Sequence, residues 1–142
     1  MEAWRNFWFH TGDAARLDAQ GRFVFVDRLK DCMRRRGENI SSFEVEQAFL
    51  ALDGIAEAAA YAVPAEGGEG MEDEVMIALQ LQPGSEARPQ QWLQQAAQNL
   101  AAFAVPRYLR VMATLPKPPT GKIRKVALRA EGVTADTVDF RG

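Results

Sequence analysis

The sequence predicts an α+β domain: a small sheet of about three strands packed with helices, preceded by a β-hairpin arm. Three observations predict it. Val75, Ile77, Leu79 and Leu81 alternate strictly with their neighbours, which marks a strand. Val45, Ala48, Phe49 and Leu52 fall on one helical stripe. The segments then run hairpin, helix, strand, strand, helix, strand, short helix within 142 residues, one domain's worth of chain.

Residues 1–13 read as irregular chain crowded with aromatics: Trp4, Phe7, Trp8 and Phe9. Such a cluster suits a surface that a larger body covers. Residues 14–17 and 22–27 read as strands around the turn Asp18-Ala19-Gln20-Gly21. Phe23 and Phe25 share one face and Val24 and Val26 the other, so both faces are expected to be covered. Residues 28–39 are polar and basic, with no periodic signal. Ser41 with Glu44 three residues on has the form of a capping box, and Asp53-Gly54 closes the helix it opens. Residues 58–63 predict a short buried strand stopped by Pro64. Residues 65–73 form an acidic, Gly-rich loop, the segment expected to move most. Pro83-Gly84 ends the alternating strand. Pro89 suits a first helical turn, with Leu93, Ala96, Ala97 and Leu100 as the inner face. Residues 108–112 predict a last strand, and residues 123–129 a short helix.

Composition narrows function. A hydrophobic fraction of 47% permits a packed core, and a net charge of -2 gives no general attraction to nucleic acid or anionic membrane. The basic run Arg34-Arg35-Arg36 lacks interleaved aromatics and suits a phosphate clamp better than a nucleic-acid surface. No apolar run reaches the roughly 20 residues of a membrane span. The single cysteine, Cys32, rules out an internal disulfide and fits a reducing compartment, so a cytoplasmic location is expected. One histidine, His10, and one cysteine do not make a zinc site, and no metal site is expected.

Five segments carry the chemistry. Asp13 ends Trp8-Phe9-His10-Thr11-Gly12-Asp13, and a carboxylate after a Thr-Gly turn can accept both hydrogen bonds of a vicinal diol. Asp27-Arg28-Leu29-Lys30-Asp31 leaves a strand. Gly37-Glu38-Asn39-Ile40 precedes Glu44-Val45-Glu46. Val105-Pro106-Arg107 precedes Leu115-Pro116-Lys117-Pro118-Pro119-Thr120-Gly121-Lys122. Three prolines and a glycine make a stiff turn that would hold the Lys122 ammonium at a loop tip.

In this order and spacing, from about Trp4 to about Arg129, the segments resemble the C-terminal portion of an acyl-CoA synthetase of the adenylate-forming superfamily. The Gly-Glu-Asn-Ile-Ser form with Glu44-Val45-Glu46 is similar to acid–CoA ligases, and the flanking text to their crotonobetaine/carnitine branch. The resemblance implies an ATP-dependent enzyme that activates a carboxylic acid as an acyl-adenylate and passes the acyl group to CoA, with Mg2+ carried on ATP. It implies that residues 1–29 end a large N-terminal domain and that residues 30–142 form its lid. Asp13 would then bind the ATP ribose, with Arg28 beside it, and Lys30 would be the hinge. Lys122 would touch the acyl carboxylate and α-phosphate, and Arg36, Gly37 and Glu38 would face CoA in the second step. Many relatives carry Gly where Arg36 stands, which bears on how closely that loop approaches the pantetheine.

The superfamily's Ser/Thr/Gly-rich phosphate loop, its adenine-binding segment and any acyl pocket have no counterpart in these 142 residues. The expectation is therefore a lid whose partner is the absent N-terminal domain, and which is inactive alone. The alternative is a free-standing module that uses the same fold to hold CoA or a partner protein. Residues beyond Arg129 match nothing in the resemblance.

Overall fold

Strands buried on both faces organise this molecule. The computed structural model describes residues 4–5, 8–9, 13–28, 32–65 and 72–141; for 4–5, 8–9, 13–16 and 24–28 it describes the backbone alone. The elements are β1 (Trp4–Arg5), β2 (Trp8–Phe9), β3 (Asp13–Leu17), β4 (Phe23–Arg28), β5 (Met33–Arg35) and β6 (Glu38–Ile40). Then come α1 (Ser42–Leu50), β7 (Ile55–Pro64), β8 (Asp73–Leu81), α2 (Pro89–Ala97), β9 (Tyr108–Met112), α3 (Lys125–Glu131) and β10 (Val138–Asp139).

The expected α+β class holds, but the main sheet has four strands, ordered β10-β9-β8-β7. β7 and β8 pair antiparallel, β8 and β9 parallel, and β9 and β10 antiparallel. Parallel partners need a long crossover, and α2 supplies it. The fourth strand comes from the tail that carried no sequence signal. Its Asp139 carboxylate pairs with Arg107 at 3.0 Å, which draws the tail onto the sheet edge.

The alternating strand is not half-buried, as its pattern implied. Val75, Ile77 and Leu79 join one core with Val45, Phe49, Ile55 and Trp92. Met76 and Ala78 join a second core on the other face with Tyr61, Leu115 and Leu128. Helices α1 and α2 cover the first face; α3 and the loop before it cover the second. The alanines of β7 explain how. Ala58, Ala59 and Ala60 are at most 5% exposed, and their small side chains let layers approach from both sides. Alanine is a poor strand former, so packing rather than propensity makes this strand.

Ser41 caps α1, its hydroxyl accepting the Glu44 N–H at 3.3 Å. Pro89 opens α2 as expected, but the helix turns Trp92 and Ala96 inward, with Leu93 and Leu100 only partly buried. Residues 28–39 are not featureless: β5 and β6 form a hairpin whose Met33 and Ile40 enter the first core. Residues 4–5 and 8–9 pair as two-residue strands within the stretch expected to be irregular. β7 begins at Ile55, three residues earlier than expected, and ends at Pro64, which pairs with Asp73. Phe23 is 81% exposed and its cross-strand partner Leu17 61%, so the expected cover on that face of the β3–β4 hairpin is absent among the described residues. Residues 66–71, the core of the loop expected to move, lie outside the described residues.

Candidate functional site

The proline-rich loop is anchored at both ends. Leu115 is buried, and its N–H donates to Gln80 Oε1 at 3.0 Å. Arg124 N–H donates to the Pro116 carbonyl at 2.7 Å and closes the base. Gly121 has φ of 82°, a left-handed turn that glycine adopts without strain, and its N–H donates to the Pro118 carbonyl at 2.9 Å. Lys117 pairs with Glu57 of β7. Lys125, the first residue of α3, lies 2.6 Å from Glu46 Oε1 and donates to Ser42 Oγ at 2.8 Å. The same Glu46 oxygen accepts the Ala60 N–H at 3.0 Å, so a carboxylate of α1 occupies the open edge of β7.

Lys122 stands between these two anchored lysines. It is exposed, as expected, and makes no ion pair with any described residue. A depression of about 370 Å³ beside it is lined by Leu50, Ile123, Glu46, Glu57, Lys117 and Lys125. A lysine held beside a partly apolar hollow presents an ammonium that an incoming anion can claim.

The second expected surface lies elsewhere. Arg36 and Gly37 form the β5–β6 turn with φ of 52° and 78°, the two positive values of a tight hairpin turn. Arg36, Gly37 and Glu38 are all exposed. The three-arginine clamp needs correction. Arg35 points inward, 3.0 Å from Glu74, and donates to the carbonyls of Phe103 at 3.3 Å and Val105 at 3.1 Å. Burial lowers its pKa and the Glu74 carboxylate opposes that shift, but a guanidinium remains charged. Only Arg34 and Arg36 of the three face solvent. Arg35 meets the sheet at Glu74, opposite Val63, whereas Lys117 meets it at Glu57. Those two points on β7 are six residues apart, roughly 20 Å of strand.

Asp13 and Arg28 are direct partners in the β3–β4 register, so the two residues expected to share a nucleotide lie opposite each other across the ladder. The hinge candidate Lys30, and His10, lie outside the described residues. Cys32 is half-buried. Among the described residues no three His, Cys, Asp or Glu side chains converge to hold a metal. No helix among them is long and apolar enough to cross a membrane.

Sequence reasoning missed Glu57, Glu74 and the pairing of Glu46. Glu46 sat in a segment already singled out. Glu57 and Glu74 gave no signal, because their partners, Lys117 and Arg35, lie tens of residues away.

The fold of this chain, a mixed sheet with helices on both faces, is similar to parts of solved structures of adenylate-forming enzymes. An anthranilate–CoA ligase in complex with anthranoyl-AMP matches 92% of this chain at a TM-score of 0.82 and 25% identity, over 25% of its own length. A fatty acyl-CoA synthetase of Mycobacterium tuberculosis matches the same share at 0.70 and 30% identity, again over 25% of its length. In sequence, a long-chain fatty acid transport protein of Mus musculus is 39% identical over 89% of this chain, and a long-chain-fatty-acid–CoA ligase of M. tuberculosis 32% identical over 92%. The chain spans 18% and 25% of those two relatives. The family described as AMP-binding enzyme C-terminal domain matches residues 44–122, and the chain belongs to it. None of these matches supports the crotonobetaine/carnitine branch.

Proposed function

We propose that this chain is the lid of an ATP-dependent acid–CoA ligase, AMP-forming, completed by a larger N-terminal domain. The observation that carries the reading is Lys122: an exposed cation with no described counter-ion, on an anchored loop, inside the stretch that matches the family. In the first half-reaction a carboxylate oxygen attacks the α-phosphorus of ATP and pyrophosphate leaves. Two anions must approach, and Lys122 Nζ between them offsets their repulsion as charge shifts. In the second, the CoA sulfur attacks the acyl carbon and AMP leaves, with the turn Arg36-Gly37-Glu38 facing the thiol's path. Asp13 would accept hydrogen bonds from the ribose hydroxyls beside Arg28, their pairing in register supporting a shared ligand. Lys30 would be the hinge. Magnesium would travel with ATP, held by its phosphates. One cysteine suits a reducing compartment such as the cytoplasm.

The test is the full-length protein with ATP, CoA and a panel of carboxylic acids. Acid-dependent pyrophosphate release followed by thioester formation is expected. Binding of CoA without pyrophosphate release from any acid would instead favour a binding module.

A further inference from the structure

The lysine loop carries four cations in nine residues, Lys117, Lys122, Arg124 and Lys125, and two of its three lysines are claimed by glutamates from elements distant in sequence. We infer that Glu57 and Glu46 are positioning residues for Lys122. They hold the two ends of its loop and neutralise the two flanking lysines, so that Lys122 is the one ammonium of the three left to face the incoming anion. The inference rests on the role proposed for Lys122.

The geometry is specific. Glu57 projects from β7 and pairs with Lys117, five residues before Lys122. Glu46 projects from α1 and meets Lys125, three residues after it, at 2.6 Å. Both pairs line the same hollow as Lys122. Between the clamps the chain is stiffened by prolines and by the Arg124-to-Pro116 hydrogen bond, so little freedom remains at the tip. Without Glu57, Lys117 becomes a second free ammonium on a loosened arm. It would compete for the same phosphate from a position that cannot also reach the carboxylate. A displacement of about 1 Å at a reacting group is enough to cost on the order of 10² in rate.

A structural clamp and a positioning clamp differ in what they disturb. The Glu57–Lys117 side chains are about a third exposed, and such partly solvated ion pairs contribute little to stability, so Glu57→Gln should leave the thermal midpoint of the full-length enzyme within a few degrees. Glu46→Gln keeps an oxygen to accept the Ala60 N–H while removing the charge that meets Lys125. In single-turnover measurements each variant should slow acyl-adenylate formation about 10- to 100-fold. The rate from supplied acyl-adenylate plus CoA should stay within about twofold of the unsubstituted enzyme. The exchange Glu57→Lys with Lys117→Glu should recover most of the lost adenylation rate, because it restores the clamp with its charges reversed. Equal losses in both half-reactions, unchanged adenylation, or no recovery in the exchanged variant would each overturn the inference. Lys122→Ala, run alongside, separates the two levels. If it leaves adenylation intact, the role proposed for Lys122 fails. If it abolishes adenylation while both glutamate variants run normally, only the positioning role fails.

Discussion

At the scale of single residues, exposure separates chemistry from stability. Lys122 is exposed and unpaired among the described residues, so Lys122→Ala should change stability by no more than about 0.5 kcal/mol. Loss of an oriented charge at a developing transition state costs roughly 10²–10³ in rate. Adenylation by the full-length enzyme should fall by that factor in single-turnover kinetics, with the thioester step largely spared. Tyr61 is the opposite case. It is fully buried, and its hydroxyl has no hydrogen-bond partner among the described residues. Desolvation by burial pushes its pKa from 10.0 up to about 12. A raised pKa contributes stability that is complete below pH 10 and lost as pH climbs toward 12, because the unfolded phenol ionises first. The loss across that window approaches about 3 kcal/mol. Urea denaturation of this chain at stepped alkaline pH should show that decline, and Tyr61→Phe should flatten it without lowering stability at neutral pH, since the orphaned hydroxyl has no hydrogen bond to lose.

Among the elements, the β5–β6 hairpin gives the sharpest prediction. Gly37 has φ of 78°, and a Cβ added there would meet nothing within 4 Å. Gly37→Ala should therefore cost only the backbone strain, about 1–2 kcal/mol, read as a lower urea midpoint. This hairpin also shows where sequence patterns stop. Its strands are three residues long and alternate arginines, an acid and an amide, so only Met33 and Ile40 mark a buried side. A period cannot be read from two residues. β10 is shorter still, and charge draws it to the sheet through Asp139 and Arg107. In α2 the buried face centres on Trp92, one residue from the expected Leu93, because Leu93 and Leu100 satisfy the same spacing. Longer signals carried their elements: the cap at Ser41, the strand at residues 108–112 and Pro89 at the start of α2 all stand where the pattern put them. Even the second buried face of β8 was legible in principle, since Val75 to Leu79 is an unbroken apolar run of the kind doubly covered strands show. The loop around Lys122 was legible as a turn. Its anchors were not, because an ion pair across sixty residues leaves no local trace.

For the whole molecule, the distance between the two candidate surfaces bears on how the domain works. The Lys122 loop meets β7 at Glu57, and the hairpin bearing Arg36 meets the sheet opposite Val63, roughly 20 Å along the strand. Reacting groups must approach to about 3–3.5 Å. Under the proposed function, a lid that serves both half-reactions would present these two separate surfaces in turn. The hinge proposed at Lys30 lies in sequence between the strand that begins at Asp13 and the loop that carries Lys122. A proline there fixes φ near -65° and removes an N–H donor. In the full-length enzyme, Lys30→Pro should trap one orientation and change the two half-reactions unequally, by at least about tenfold relative to each other, a difference of about 1.4 kcal/mol between the two barriers. Single-turnover rates from acid plus ATP, and separately from supplied acyl-adenylate plus CoA, measure the two. An equal fall in both, accompanied by a lowered thermal midpoint, would mean that the substitution had damaged folding and that Lys30 is not the pivot.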